Sequence, residues 1–201
     1  MSFWPSPAWD EVTYWALDLE TGGLDPGSDP ILAVGMVPLR AGTIRLGEAF
    51  ESLVRPEAER VISADSVRAH QLVPGDVRGA PPLADVLREI DRRLGDGVLL
   101  VHQAAIDVRF LKRGHRIAGV RWSKPEVVDT VDLLLRVAKQ RRFIDPDAQD
   151  RQPTLNLAEA RARYGLPAYG AHDALTDAVS TAELFLVLRR ELRARTLRDL
   201  R

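Results

Sequence analysis

The segment Val12-Thr-Tyr-Trp-Ala-Leu-Asp-Leu-Glu-Thr-Gly-Gly-Leu24 carries the pattern from which the fold can be predicted. Residues 12–19 are mostly apolar and predict a buried strand. Asp18 and Glu20 come at the end of this strand, two residues apart. Because side chains alternate between the faces of a strand, both carboxylates point the same way. Two acids on one face of a central strand repel each other, so something positive must offset them, unless they lie in a solvated loop.

The rest of the chain predicts alternating strands and helices. Residues 31–40 and 43–55 predict two more strands, joined by a hairpin turn at Ala41-Gly42. Further strands are predicted at 98–101 and 127–128. Helices are predicted at 83–94, at 104–112, from Asp129 or Thr130 to about 139, at 154–164, and from Asp173 to at least 188. Residues 139–153 predict a mobile surface loop. The order of elements indicates an α/β domain with a mixed sheet.

Composition narrows the class of protein. With 201 residues, 45% hydrophobic and 28% charged, one domain over 1–201 is expected. Its core would be about 12–190, with a short N-terminal arm and a basic end to the last helix. The absence of cysteine excludes disulfides, thiolate metal sites and cysteine nucleophiles. No signal peptide or membrane span is recognisable, so a soluble, cytoplasmic protein without a membrane partner is expected.

The net charge of −1 bears on any nucleic-acid partner. A protein that grips a long duplex by its phosphates usually has a strongly basic surface. This protein would therefore bind only a short end of a nucleic acid strand, or contact the phosphates through metal ions, or depend on a second protein to hold the polymer.

Two more acids interrupt helix faces that are otherwise apolar. Asp177 lies on the apolar packing face of the last helix. Asp107 lies on the apolar face of the helix after the 98–101 strand, in its first turn. Each needs a metal ion or an internal ion pair with an arginine. A histidine precedes each acid by five residues, at His102 and His172. Because five helical residues turn through about 140° net, each histidine should lie before its helix and face the same cleft.

The chemistry of this residue set favours a hard metal ion. Four carboxylates without sulfur suit Mg²⁺ or Mn²⁺ better than zinc or copper. Two such ions can activate a water and stabilise the leaving oxygen of a phosphodiester. A neutral histidine nearby can take the water's proton near pH 7. The set suggests phosphodiester hydrolysis but does not select it over other metal-assisted reactions.

Three segments carry a family resemblance. They are DLETGGL at 18–24, VHQAAID at 101–107 followed by FL at 110–111, and HDALTDA at 172–178. VDT at 128–130 and TLNL at 154–157 are lesser landmarks. Together they resemble the DEDDh group of 3′–5′ exonucleases, which includes the proofreading epsilon subunit of bacterial DNA polymerase III, RNase T and oligoribonuclease. Each motif alone is weak, but three in order over residues 12–188 are a strong signal.

The resemblance implies a fold, a metal site and a binding pocket. The fold is RNase H-like, with a five-stranded mixed sheet flanked by helices. Two ions per active site, Mg²⁺ or Mn²⁺, would be held by Asp18, Glu20, Asp107 and Asp177. His172 would be the base that deprotonates the attacking water. The residues expected to bind the terminal nucleotide are Thr21, Gly22, Leu24, His102 and Phe110.

The resemblance also implies a function: hydrolysis at the 3′ end of nucleic acid, with release of nucleoside 5′-monophosphates. Single-stranded DNA in replication or repair is the expected substrate. One alternative is an exoribonuclease like RNase T or oligoribonuclease, which would form a homodimer. Another is a proofreading subunit that acts mainly by docking to a DNA polymerase. The absence of a long C-terminal extension disfavours docking. An inactive relative is disfavoured because no acid of the set is missing.

A few positions depart from the family pattern or lie outside it. The motifs usually have Thr at Gly22, Asn at Gln103 and Phe at Ile106. None of these is an expected metal ligand, so they bear on nucleotide selectivity. His70 lies outside the motifs, and an ordinary structural role is expected for it. The tryptophans near the start are expected to pack an N-terminal arm onto the core.

Overall fold

A mixed six-stranded sheet lies between helices in the computed structural model, which describes residues 6–56, 63–144, 153–170 and 172–201. The strands are β1 (Tyr14–Thr21), β2 (Ile31–Arg40), β3 (Thr43–Ile44), β4 (Phe50–Leu53), β5 (Val98–Val101) and β6 (Val127–Asp129). The helices are α1 (Ala64–His70), α2 (Pro74–Val77), α3 (Leu83–Leu94), α4 (Ala104–Ile117), α5 (Thr130–Ile144), α6 (Leu157–Arg163) and α7 (Ala174–Glu191). Among these described helices, none combines the length and apolar composition needed to cross a bilayer.

The sheet is built around β1, as the predicted α/β architecture requires. β1 pairs antiparallel with β2 and parallel with β5, and β5 pairs parallel with β6. The free edge of β2 is shared by β3 and β4. The sheet therefore has five positions but six strands, because the single strand expected at 43–55 is interrupted by a 3₁₀ turn at Leu46–Glu48. Gly47 in this turn has no side chain to pack, which weakens a strand.

The hairpin turn between β2 and β3 is confirmed. Ala41 and Gly42 both have positive φ, 48° and 72°, as a two-residue type I′ turn requires. Ala41 pays the usual steric cost of this conformation, whereas Gly42 does not.

Two hydrophobic clusters lie on opposite faces of the sheet. Along β1, Tyr14 and Ala16 pack in the cluster that contains α7, while Trp15 and Leu17 pack in the cluster formed with α3 and α4. This period of two continues to the end of the strand. Asp18 therefore follows Ala16 onto the α7 side, where α7 packs across β1 and β2.

A glycine on β2 lets α7 begin in direct contact with the sheet. Gly35 pairs with Asp18 across the β1–β2 ladder. A Cβ placed on Gly35 would lie 2.2 Å from the carbonyl carbon of Ala174 and the nitrogen of Leu175, which is far inside van der Waals contact. The first turn of α7, which carries Asp177, therefore lies beside the end of β1 that carries Asp18 and Glu20.

Several predicted boundaries differ from the structure. α4 continues to Ile117 and α5 to Ile144, so residues 139–144 are helical and not a loop. The buried residues Val137 and Ala138 keep α5 on the core, and its exposed residues continue the same helix. The remainder of the predicted loop up to 152 lies outside the described residues. α6 is capped by Asn156, not Thr154, since the Asn156 side chain accepts from the Glu159 N–H.

The N-terminal arm packs onto the core as expected. Trp15 is buried, and the Arg189 guanidinium lies 4.0 Å from the ring centre of Trp9. Backbone hydrogen bonds join the arm to the segment after α7, from Trp9 N–H to Arg195 O (3.0 Å) and from Leu197 N–H to Pro7 O (3.1 Å). Trp4 lies outside the described residues.

Candidate active site

The end of β1 supplies two carboxylates to one face. The register pairs Asp18 with Gly35 and Glu20 with Ala33, and the ladder shifts by a bulge directly after Glu20. Glu20 is 8% exposed, and Asp18 is partly exposed beside it. The solvated-loop alternative for these two acids is therefore wrong, because both lie within the central strand.

The start of α7 brings a third carboxylate and a histidine to the same place. Asp173 caps the helix by accepting from the Thr176 N–H, as predicted. His172 lies before the helix, and its backbone N–H donates to Asp177 Oδ2 at 3.0 Å. Its φ of 68° is a left-handed conformation that a histidine rarely adopts, and such strain is often found at functional sites. One ligand atom each from Glu20, His172 and Asp177 lies within 4.8 Å of the others.

The fourth carboxylate is positioned by Asp129, which caps α5 as one of the two expected residues and also contacts the start of α4, a contact that was not predicted. Asp107 lies in the first turn of α4 and is 6% exposed. Asp129 accepts from the backbone N–H groups of Gln103 and Ala104, which start α4, and from that of Val131, which starts α5. One carboxylate therefore fixes the beginning of both helices and the position of Asp107. The VDT landmark at 128–130 was the available signal.

Electrostatics show that these acids repel one another. Burial raises the pKa of Asp18 well above its usual range, and the charges of Asp107, Asp177 and Glu20 add to the effect. Burial raises the pKa of Glu20 to about 7, with further contributions from Asp177 and Asp173. Burial is also the main cause of the raised pKa values of Asp107 and Asp177.

No cationic side chain of the described residues neutralises these four acids by an ion pair. The alternative of an internal ion pair for Asp177 thus has no support in the part of the chain that the structure describes. Clustered carboxylates without a cationic partner fit a metal ion, since only a bound cation lets all of them ionise together at neutral pH. The Glu20, His172 and Asp177 group could hold one such ion.

The segment after β1 presents the expected nucleotide-binding residues in different ways. Gly22 is buried, whereas Leu24 is 82% exposed. Thr21 donates its hydroxyl to Gly23 O at 2.6 Å. The carbonyl of Thr21 in turn accepts from His70 at 3.1 Å, while His70 Nδ1 accepts from the Leu72 N–H. His70, which was expected to be ordinary, therefore fixes this segment through the opposite nitrogen of its ring.

Two residues expected in the nucleotide pocket are turned into the protein. His102 lies at the end of β5 before α4, as predicted, but its Nε2 donates to Leu155 O at 2.8 Å and its Nδ1 lies 2.7 Å from the Thr130 hydroxyl. Neither nitrogen is left for a nucleotide. Phe110 is 1% exposed and belongs to the core cluster beside α3. It supports α4 and offers no open surface, because it faces the packed side of that helix.

Comparison with known proteins identifies the family. Residues 15–185 match the profile of the RNase T family, which is described as exonuclease. The chain belongs to this exonuclease family. The assignment made from the three motifs is confirmed, and the matched segment contains Asp18, Glu20, Asp107, His172 and Asp177.

Relatives of this family member are longer proteins. A DNA polymerase III subunit epsilon-like protein of Rhodobacter capsulatus is 35% identical over 189 residues, which are 94% of this chain and 25% of that protein. The PolC-type DNA polymerase III of Bacillus subtilis is 28% identical over 178 residues, 88% of this chain and 11% of that protein. The chain thus spans a quarter or less of the length of these relatives.

The fold matches solved exonuclease structures. Exonuclease I of E. coli in complex with a dT13 oligonucleotide superposes with a TM-score of 0.75 at 16% sequence identity, covering 90% of this chain and 42% of that one. The apo form of exonuclease I gives a TM-score of 0.73. The expected RNase H-like fold is confirmed.

Proposed function

We propose that this chain is a metal-dependent 3′–5′ exonuclease that removes nucleoside 5′-monophosphates from single-stranded DNA. One observation carries the proposal: four repelling carboxylates from three elements converge beside a histidine, in a member of an exonuclease family. DNA is favoured over RNA because the relatives' names are those of DNA polymerase III proteins. Association with a DNA polymerase is part of the proposal on the same ground.

The proposed roles follow from position. Asp18, Glu20, Asp107 and Asp177 hold two Mg²⁺ or Mn²⁺ ions, which when bound supply charge for the phosphate oxygens and lower the pKa of water. His172 is exposed beside Glu20 and Asp177, so its ring can accept a proton from a water in the cleft. Its partner Asp177 orients the backbone on which that ring is carried.

The residues after β1 would bind the 3′ end of the nucleic acid substrate. The exposed Leu24 offers apolar surface to a base, and the backbone of Thr21 and Gly22 that carries it is held in place by His70 and Pro30. His102 and Phe110 would not contact the substrate. They would support the site indirectly, by keeping α4 and the loop at Leu155 in position.

A direct test compares metal dependence with two matched substitutions. The protein is incubated with a 5′-labelled 12-nucleotide DNA or RNA of the same sequence and Mg²⁺ or Mn²⁺. We expect 3′ shortening of the DNA that chelation stops. Asp177→Asn should lower the rate by more than about 10²-fold, since a metal ligand contributes several kcal/mol to the barrier. Asp85→Asn, an identical change at an exposed acid of α3, should leave the rate unchanged.

The outcomes separate the alternatives. Shortening that survives Asp177→Asn would refute the proposed site. Faster shortening of the RNA would replace the proposed substrate by the exoribonuclease alternative. A lone chain that is inactive but becomes active with a DNA polymerase would favour the docking subunit.

A further inference from the structure

A row of positive side chains, here called the basic stripe, runs along the outer side of α4. Its spacing of three, one and three residues places all four members on one side of a helix. Three of them are exposed and one is partly buried. The stripe lines an open depression of about 440 Å³, bordered by Pro26 and Gly27. Its members are Arg109, Lys112, Arg113 and Arg116.

The stripe lacks the ion pairs that engage arginines on the neighbouring helix. On α3, Arg88 pairs with Asp85, and Arg92 and Arg93 pair with Glu89. For the stripe, no carboxylate of the described residues lies within ion-pair distance. These charges are therefore available to a ligand.

Two acids lie near the stripe but are otherwise engaged. Asp25 has a lowered pKa, first because it accepts from the Gly27 N–H and the Ser28 hydroxyl, and to a smaller extent because of Arg109 and Arg113. Asp29 accepts from the Asp25 N–H. Local charge is thus positive on balance, with four cations facing two acids that are held within their own loop.

The depression adjoins the candidate active site through one loop. This loop starts after Thr21, the last residue of β1 and the neighbour of Glu20. It presents the exposed Leu24 and reaches Pro26 and Gly27 at the depression. Pro26 comes six positions after Glu20 in the chain, so the two lie at most about 20 Å apart. A strand of about six nucleotides spans that distance at a rise of about 3.4 Å each, and fewer suffice if it is extended.

We propose that the basic stripe binds backbone phosphates of the substrate strand on the 5′ side of its 3′ end. The proposal rests on the proposed exonuclease function. Arg and Lys neutralise phosphates, and the stripe is about 10 Å long, from Arg109 to Arg116, which suits about three nucleotides. Because the net charge of the chain is −1, electrostatic attraction to nucleic acid away from the metal site needs such a local patch.

The test removes three charges and compares substrates of two lengths. The stripe variant carries Arg109→Ala, Lys112→Ala and Arg116→Ala, and keeps Arg113 because that side chain donates to Asp29 O. The control variant carries the same loss of charge at the far end of α7 and the segment after it, through Arg190→Ala, Arg195→Ala and Arg198→Ala. The substrates are single-stranded DNA of 3 and 12 nucleotides, assayed between 50 and 200 mM salt.

Only the long substrate should depend on the stripe. For the stripe variant we expect KM for the 12-mer to rise about 10- to 100-fold, with kcat unchanged and the trimer unaffected. The slope of log KM against log salt should become shallower by about 2, since each phosphate contact on a single strand contributes about 0.7. The control variant should match the unmodified protein.

Three results would overturn the proposal: an unchanged KM for the 12-mer, an equal rise in the control variant, or an equal rise for the trimer. If the unmodified chain degrades neither substrate, the proposed exonuclease function fails and the stripe is tested by fluorescence anisotropy of a labelled 12-mer. Weaker binding by the stripe variant alone then supports the stripe, and equal affinities of all three proteins reject it.

Discussion

Gly35→Ala should distort the candidate site without touching any of its acids. The added Cβ would lie 2.2 Å from the backbone of Ala174 and Leu175, whereas ordinary contact begins at 3.4 Å. The first turn of α7 must therefore move away from β2 by about 1.2 Å, or the ladder between β2 and β1 must bend. Both movements separate Asp177 from Asp18, which pairs with Gly35 across that ladder.

The magnitude follows from packing and from positional tolerance. Overpacking a tight contact costs about 1–3 kcal/mol, and the obstacle here is backbone, which cannot rotate aside. A misplacement of about 1 Å in a catalytic group costs about 10²-fold in rate. We therefore expect Gly35→Ala to lose both stability and catalytic rate by these amounts, in a protein that still folds.

The assay pairs urea unfolding with the rate of 3′ shortening. Gly79→Ala is the control, because nothing lies within 4 Å of a Cβ at that position and its φ is not in the left-handed range. Full activity and full stability in Gly35→Ala would contradict this prediction. If it loses stability but keeps the rate, α7 accommodates the methyl group without moving Asp177, and the link from packing to catalysis is wrong.

Three further predictions concern the same site and its support. His172→Ala should lower kcat by about 10²–10⁴-fold, with the free energy of unfolding unchanged because the side chain is exposed. In protein treated with a chelator, stability in urea should fall as the pH rises from about 4.5 to 7. The reason is that the pKa of Glu20 is about 7 in the folded state, so the folded protein loses this proton at a higher pH than the unfolded chain does. Added Mg²⁺ should restore the stability at high pH. Arg161→Leu should cost about 3–5 kcal/mol in thermal or urea unfolding, since it removes a buried guanidinium that pairs with Glu183 at 2.7 Å and donates to Ser180 O and Pro167 O.

Local patterns in the sequence were enough to predict much of the fold. Alternation along β1 placed Asp18 and Glu20 on one face, and the five-residue spacing placed His102 and His172 ahead of their helices. These inferences succeed because they depend on the repeat of a strand or a helix. The interruption at Leu46–Glu48 was missed because a run of β-formers does not reveal where a strand leaves the sheet.

The parts that were missed depend on contacts distant in sequence. Asp129 meets the start of α4 from 25 and 26 residues away, and His70 meets Thr21 from 49 residues away. Neither contact leaves a periodic trace in the chain. The burial of Phe110 was likewise not visible, because an aromatic residue in a motif suits a core as well as a pocket. The roles of the site residues and the single-domain organisation stay predictions.

The pairing of the N-terminal arm with the segment after α7 has a practical consequence. Residues 7–9 and 195–197 lie side by side, beyond the end of α7 that is opposite to Asp177. Glu191 comes 14 positions after Asp177 on α7, which is about 20 Å along the helix axis. A molecule attached to either of these two segments is therefore tethered well away from the carboxylates. A protein immobilised through them would keep its active-site cleft accessible to the solution.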